Sequence, residues 1–236
     1  MATTYLQAIN RVLEKIGETQ ISAATTSLTE TYDLLVGSFV QDIKEQVEGA
    51  HNWRALRQTV TAVVAANAQS QPITEANERS RVVRIMQQNN PAPIPLVFDI
   101  TDTNDPTPLI EIDLAELIYR DTMDDDVRNE PQYFALDNTS GDGLSVMVWP
   151  RPSADATIQL TLTIPQARFG PTDTDETIKV PIRPIIVGAT WYALEERGEE
   201  LGTNGLFNEE RFRQALSDAV SLDDAEQGNV HELIPT

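Results

Sequence analysis

Apolar residues recur every three or four positions near the start of the chain, which is the spacing of an amphipathic helix. The first set predicts a helix over residues 4–16, with Gly17 as its C-terminal stop. The second set predicts a helix that begins at Ser27, whose hydroxyl would form a capping box with Glu30, and ends just before Trp53. We expect the ring of Trp53 to pack against the core. The two apolar sets are Leu6, Ile9, Leu13 and Ile16, and Leu35, Val36, Phe39, Ile43, Val47 and Ala50.

A second helical region lies towards the end of the chain. After Val180, apolar residues at helical spacing predict a helix that has Pro184 in its first turn and ends near residues 200–202. Asn208 is a candidate N-cap for the last helix, which Gly228 would end. The apolar stripe of that last helix comprises Phe212, Ala215, Leu216, Ala219 and Leu222.

Between these helical regions the pattern changes to that of strands. Residues 157–164 alternate between polar and apolar side chains, which predicts a strand with one dry face and one wet face. Residues 133–136 and 144–149 flank a polar, glycine-containing stretch and predict a hairpin with a long tip. A short helix is expected from Asp113 to Tyr119. Further strand candidates are residues 59–66, 81–86, 96–100 and 109–112.

This order of helices, strands and helices predicts an α+β fold in which the two kinds of element are segregated. We expect residues 1–54 and 181–228 to form one helical bundle built from the N- and C-terminal helices. An antiparallel β-rich domain, residues 55–180, would be inserted between the halves of that bundle. Residues 229–236 would form an extended C-terminal tail, which either frays or docks on a partner.

Composition narrows the possible chemistry. The 236 residues include no cysteine and only two histidines, His51 and His231, so no zinc site, catalytic triad or cysteine nucleophile can be assembled. The sequence has no glycine-rich phosphate loop and no Gly-x-Ser-x-Gly motif. No apolar run approaches the roughly 20 residues that span a bilayer. We therefore expect no cofactor, no metal and no membrane partner.

The chain is strongly acidic, with 17 basic and 37 acidic residues and a net charge of −20. Residues 1–70 are nearly neutral, with 5 basic and 7 acidic residues, whereas residues 71–180 hold 8 and 19 and residues 181–236 hold 4 and 11. Tight binding of nucleic acid requires Lys and Arg that displace counterions from phosphates, so DNA would be repelled by the average surface. An acidic protein can still let DNA pass without holding it.

Two local clusters have both a chemical and a plain structural interpretation. An acidic run could bind calcium or magnesium, but it lacks the spacing of an EF-hand loop, and a solvated loop is the favoured interpretation. Tyr133 and Trp149 could form a carbohydrate platform, although cross-strand aromatic packing is the commoner use of such a pair. The acidic run consists of Asp121, Asp124, Asp125, Asp126 and Glu130.

The N-terminal region resembles a known family. Residues 9–18, followed by Ile21-Ser22 and Ser27-Leu28, look like the opening of the head-to-tail adaptor proteins of short-tailed phages, often called tail tubular protein A. The family pairs this opening with a long helix that ends in a tryptophan, as residues 27–53 do here. Its helical bundle with an inserted β domain also suits the predicted layout. The family's tryptophan is commonly followed by small or aromatic residues, whereas Arg54 follows here.

The resemblance implies a structural virion protein and not an enzyme. Such an adaptor forms a ring, twelvefold in the family, that joins the portal protein to the tail nozzle protein and lets genomic DNA pass through its lumen without specific binding. It would be assembled in the host cytoplasm and would reside in the neck of the virion. Part of the negative charge would then face the lumen and keep phosphates away, although the same charge also keeps an unassembled subunit soluble.

The resemblance also suggests, by layout, where partners bind. The last helix and the C-terminal tail are expected to contact the portal, and the hairpin tip is expected to contact the nozzle. Two alternatives stay open: a carbohydrate- or protein-binding β module on a helical stalk, and a hydrolase that uses acidic residues. The candidate portal contacts are Phe212, Leu216, Val230, His231, Leu233 and Ile234, and the candidate nozzle contacts are Asn138, Thr139, Ser140 and Asp142.

Overall fold

The computed structural model has a mixed α+β fold, which confirms the predicted class. Within the residues that it describes there are five α-helices and several sheets, most of whose strands pair antiparallel. The described residues are 3–87, 90–124, 127–138, 143–198 and 203–226.

The helices and strands alternate in blocks along the chain. The helices are α1 (Tyr5–Lys15), α2 (Thr31–Ala50), α3 (Leu114–Met123), α4 (Ile182–Glu196) and α5 (Thr203–Glu226), with a 3-10 turn at Arg54–Leu56. The strands are β1 (Thr3–Thr4), β2 (Arg57–Val64), β3 (Ser70–Pro72), β4 (Arg81–Val82), β5 (Arg84–Gln87), β6 (Asn90–Pro95), β7 (Val97–Asp99), β8 (Thr107–Pro108), β9 (Ile110–Glu111), β10 (Tyr133–Asp137), β11 (Ser145–Trp149), β12 (Ala156–Thr163) and β13 (Thr177–Ile178).

The chain divides into two compact units. Met1–Leu56 and Gln166–Thr236 make up the first, here called the helical unit, and Arg57–Pro165 make up the second, here called the β unit. The predicted domain boundaries lie after residues 54 and 180. Residues 166–180 belong to the helical unit because Ile178 and Val180 are buried in its core.

Helix α1 begins and ends as its sequence predicts. The Thr4 side chain accepts a hydrogen bond from the Gln7 backbone N–H, and the Gln7 side chain accepts one from the Thr4 N–H, which completes a capping box. Gly17 ends the helix with φ +76°, a value that residues with a Cβ rarely adopt, while the Glu18 N–H donates to the Leu13 carbonyl.

Helix α2 begins later than predicted, and the expected capping box is wrong. The helix starts at Thr31, and Glu30 occupies the N-cap position without a side-chain cap. Leu28 is instead buried, and its N–H donates to the Pro171 carbonyl at 2.9 Å. Because α2 starts at Thr31, the Ser27 hydroxyl is too far upstream to cap the helix.

The start of α5 also differs from its prediction. The helix begins at Thr203, so Asn208 lies within it and is not its N-cap. Asparagine is favoured at caps but is tolerated inside helices, which makes a lone asparagine a weak boundary signal. The predicted stop, Gly228, lies outside the described residues.

Residues from α1, α2, α4 and α5 share one apolar core in the helical unit. Helix α4 is central in this core, since it packs against the other three. Gly188 allows the close approach: a Cβ at this position would lie 2.8 Å from Ile43 Cγ2 and 3.0 Å from Phe212 Cδ2. Strands β1 and β13 pair antiparallel in the same unit.

In the β unit, two sheets contribute side chains to one core. Strands β2, β12, β7 and β8 lie side by side in the first sheet, in which β4 also pairs with β12. The second has the order β3, β11, β10, β9, with only the β9–β10 pair parallel among the described pairs. The predicted alternation in β12 is confirmed, because Ile158, Leu160 and Leu162 are fully buried.

The predicted hairpin is also confirmed, since β10 and β11 pair antiparallel from Tyr133↔Trp149 to Asp137↔Ser145. Its inward residues belong to the core between the sheets, while Ala135 and Met147 on the other face pack with Leu117 of α3. Helix α3 therefore covers the outer face of the second sheet.

Candidate functional site

Helix α5, the predicted portal-binding element, directs different side chains to the core and to the surface. Phe212 is only 7% exposed and packs in the helical core, and Leu216 is half-buried against that core. In the described subunit, Phe212 is therefore a core residue, and portal contact through its side chain would require α5 to separate from α4. Its role in portal binding stays a prediction.

The exposed apolar residues of α5 lie elsewhere on the helix. Leu206, Phe207 and Leu222 are 69%, 62% and 66% exposed, so the assignment of Leu222 to the buried stripe is wrong. The guanidinium of Arg211 lies 5.6 Å from the centre of the Phe207 ring. Sequence reasoning missed Leu206 and Phe207 because the late N-cap at Asn208 placed them outside the helix.

Of the other candidate contact residues, one is described. Among the nozzle candidates, Asn138 is described and is exposed just after β10. The candidates that lie outside the described residues are Thr139, Ser140, Asp142, Val230, His231, Leu233 and Ile234.

The C-terminal half of α5 is anchored to the exit of α2. His51 Nε2 lies 3.1 Å from Asp223 Oδ2, which also accepts a hydrogen bond of 3.3 Å from the Arg54 N–H. The His51 ring packs edge-on against Trp53, whose indole Nε1 donates to the Val47 carbonyl at 2.6 Å. The predicted packing of Trp53 against the core is confirmed, since it is 1% exposed.

A buried ion pair fastens residues 166–169 to α2. Lys44 Nζ is fully buried and lies 3.2 Å from Glu48 Oε1, which also accepts a hydrogen bond from the Gln166 N–H. The same ammonium donates to the Ala167 carbonyl at 3.0 Å and lies 4.4 Å from the centre of the Phe169 ring. No sequence pattern pointed to this pair, because Lys and Glu four residues apart on a helix are usually a solvated surface pair.

The residues that carry the resemblance have a structural role. Asn10 on α1 holds the following loop by two hydrogen bonds to the Ile21 backbone, at 2.9 and 2.7 Å. Arg197, at the end of α4, donates to the Ile16 carbonyl and to the Glu18 carboxylate. The opening sequence thus builds a loop that is fixed to α1 and to the end of α4.

A groove of about 740 Å³ runs along the surface of the helical unit, and we call it the basic groove. Its lining includes four cationic residues and one acidic residue, Glu14, beside an apolar floor. The groove is unusual in a chain whose net charge is −20. The cationic residues are Arg11, Lys15, Arg183 and Arg211, and the apolar floor consists of Ile182, Ile186, Val187 and Ala215.

In the β unit, the acidic run contains a residue that already has a basic partner. Asp121 is 8% exposed and forms a two-pronged ion pair with Arg151, with distances of 2.7 and 2.6 Å. Asp125 and Asp126 lie outside the described residues. In the part of the chain that is described, no group of acidic residues or histidine is arranged to hold a metal ion.

The aromatic pair of the hairpin is covered by a cation. The rings of Tyr133 and Trp149 are 5.7 Å apart, and the Arg120 guanidinium lies 4.6 and 5.4 Å from their centres. Hydrogen bonds to Glu116 and then Tyr133 raise the pKa of Arg120, which keeps it charged. The pair is therefore not a bare platform on which a sugar ring could stack.

Comparison with known families places these features in context. A family model described as SU10 adaptor protein matches residues 3–231, which include all five helices and both units. The chain belongs to this family. The resemblance to phage head-to-tail adaptors is thereby confirmed, and a structural role in a bacteriophage follows from it. A search of curated proteins finds no match for this adaptor. None of its described helices is long and apolar enough to cross a bilayer.

Proposed function

We propose that the adaptor forms a ring, twelvefold as in related connectors, that joins the portal to the tail nozzle in the neck of the virion and lets genomic DNA pass. The observation that carries the proposal is the family match over residues 3–231. A ring subunit needs two lateral faces and two axial faces, and a helical unit with an inserted β domain supplies separate surfaces for them. Assembly would take place in the host cytoplasm before the tail is joined.

Portal attachment is assigned to α5 and the C-terminal tail. Leu206, Phe207 and Leu222 support this assignment, because large apolar side chains that stay exposed on a helix are typical of a protein-binding surface. The bundle of α1, α2, α4 and α5 would hold α5 in position. Burial of Phe212 favours these exposed residues as the first points of contact with the portal.

The nozzle is assigned to the tip of the β10–β11 hairpin, around Asn138, which emerges from a well-packed sheet. Part of the acidic surface would line the lumen, since fixed charges of the same sign as phosphate raise the energy of close approach. Neutralising lumen-facing carboxylates should then slow DNA ejection and increase its dependence on salt.

The central experiment tests portal attachment. The adaptor is co-expressed with the portal protein of the same phage, and the mass of the complex is measured in solution. The full chain should form a ring on the portal, whereas a chain that ends at Gly228 should fold and fail to join it.

A matched pair of variants separates the tail from the helix surface. Leu206→Ser with Phe207→Ser should weaken portal binding without unfolding the subunit, since both side chains are exposed. The control is Val63→Ser, which removes an apolar side chain that is 52% exposed from the β unit. Unchanged portal binding by the truncated chain would sink the assignment to the tail.

A further inference from the structure

The basic groove contains cations that form no ion pair with any described residue of the chain. Ion pairs hold at least eight of the 17 basic side chains, including Arg183, which lies 3.3 Å from Asp218. In the described part of the chain, by contrast, Arg11 and Lys15 are exposed and form no ion pair, and Arg211 contacts only the Phe207 ring. Because the chain has more than twice as many acidic as basic residues, a cluster of unpaired cations is not expected by chance.

The floor of the basic groove is apolar. Ile182 and Val187 are half-buried and Ile186 and Ala215 are buried, so the groove presents a hydrophobic strip between its cations. Its occupant should therefore combine apolar side chains with carboxylates. A ligand with charge alone, such as a phosphate backbone, would leave the strip uncovered.

The β unit carries a surface with the complementary properties. The side of α3 that points away from the sheet exposes large apolar side chains beside the polar Glu116 and Thr122, and acidic residues follow the helix in the sequence. Asp124 and Glu130 are exposed and form no ion pair in the described residues. We call this surface the α3 face; its apolar residues are Ile118 (46% exposed), Tyr119 (61%), Met123 (64%) and Val127 (40%).

We infer that the α3 face of one copy docks in the basic groove of the next copy in the ring. Apolar side chains of α3 would cover the floor between Ile182 and Val187, while Asp124 and Glu130 would pair with the unpaired cations. Complementary potentials of this kind fix the register of an interface and select the correct partner.

This contact joins two different surfaces, so it is heterologous. A heterologous contact repeated between identical subunits generates a ring when the rotation closes. The inference rests on the proposed function, since it names the lateral interface of that ring. It also gives the acidic residues of the β unit a role besides the lumen, because some of them would be neutralised by the neighbouring copy.

The absence of cysteine from the chain gives a direct test. Gln214→Cys lines the groove and Met123→Cys lies on the α3 face, and each is made in a separate chain. The two variants are mixed, assembled on the portal and oxidised. A disulfide-linked pair that contains one chain of each kind should form in large excess over the control, in which Val63→Cys replaces Met123→Cys.

A charge swap provides the second measurement. Arg11→Glu with Lys15→Glu should weaken assembly by at least about tenfold, because like charges would face each other across the interface. Adding Asp124→Lys and Glu130→Lys to the same chain should restore it. Lys179→Glu is the matched control. Lys179 is also exposed and forms no ion pair with a described residue, but it lies outside the basic groove.

The outcomes distinguish this inference from the proposed function. If the ring assembles on the portal and the mixed disulfide does not exceed the Val63→Cys control, the lateral interface is overturned and the adaptor function stands. If the groove variants lose portal binding but still form rings, the portal occupies the groove and the inference is overturned. If the unmodified chain never forms a ring with its portal, both proposals fall.

Discussion

The two units achieve a stable core by different means. The helical unit is assembled from stretches that are distant in sequence, and its core includes a fully buried lysine, Lys44, paired with Glu48. The β unit is one continuous stretch, Arg57–Pro165, and the core between its sheets is apolar. Its register follows from the alternation of side chains in strands such as β12.

The difference shows where directional contacts are needed. Strands carry their own ladder of backbone hydrogen bonds, so the polar groups of their backbones are paired without partners from side chains. A chain segment without regular structure, such as residues 166–169, has no such ladder. Lys44 and Glu48 bind its backbone groups and thereby fix its position on α2.

The largest expected effect comes from breaking the buried pair. Glu48→Ala leaves the Lys44 ammonium buried without its carboxylate and should lower the free energy of unfolding by about 3–5 kcal/mol. Glu111→Ala is the matched change in the β unit, where the pair with Arg84 is 32% and 44% exposed. It should cost only about 0–1 kcal/mol. Urea denaturation measures both.

A double variant separates the charge from the packing. Lys44→Met with Glu48→Leu replaces both ions by apolar side chains of similar size, and it should recover part of the stability lost in Glu48→Ala. The rest stays lost, because the Gln166 N–H and the Ala167 carbonyl no longer have their side-chain partners. If Glu48→Ala and Glu111→Ala cost the same, the contrast between the two units is wrong.

A smaller effect is expected where α4 approaches α2 and α5. Gly188→Ala places a Cβ 2.8 and 2.9 Å from two atoms of Ile43, inside a core that cannot expand freely, and should cost about 1–3 kcal/mol. Gly49→Ala, in α2, meets nothing within 4 Å. It should instead stabilise the protein by about 0.5–1 kcal/mol, because alanine loses less backbone entropy in a helix. Thermal unfolding measures whether each variant is less or more stable than the unmodified protein. Destabilisation by both substitutions would contradict the explanation that Gly188 is needed for the close approach of the helices.

Much of the fold was predictable because its signals are local. The alternation in β12, the hairpin pair β10 and β11, and the end of α1 at Gly17 all follow from residues near one another in sequence. The start of α2 was not predictable, since it depends on Leu28 reaching Pro171. Leu28 and Pro171 are distant in sequence, so a local pattern of residues cannot reveal their contact.

The interaction surfaces were less predictable than the fold. Periodicity identifies an apolar stripe but cannot tell which of its members the rest of the chain covers, so Phe212 and Leu222 looked alike in the sequence. The basic groove was hidden for a similar reason. Its cations come from α1, α4 and α5, and the low charge of residues 1–70 was the only trace of it in the composition.

The smallest expected effect is a dependence on pH in the helical unit. Tyr5 is 3% exposed, and its burial raises the pKa of the phenol above the ordinary value of 10.0, although a hydrogen bond with Gln41 lowers it. The folded protein then keeps a proton that the unfolded chain has lost. The free energy of unfolding therefore falls as the pH rises through and beyond 10.0. Tyr5→Phe removes the proton and should flatten the fall in stability between about pH 9 and about pH 11. Urea midpoints measured across that range for both proteins give the difference in slope. Equal slopes would mean that the phenol ionises as readily in the folded protein as in the unfolded chain. Tyr5 would then not be one of the buried polar groups that distinguish the helical unit from the β unit.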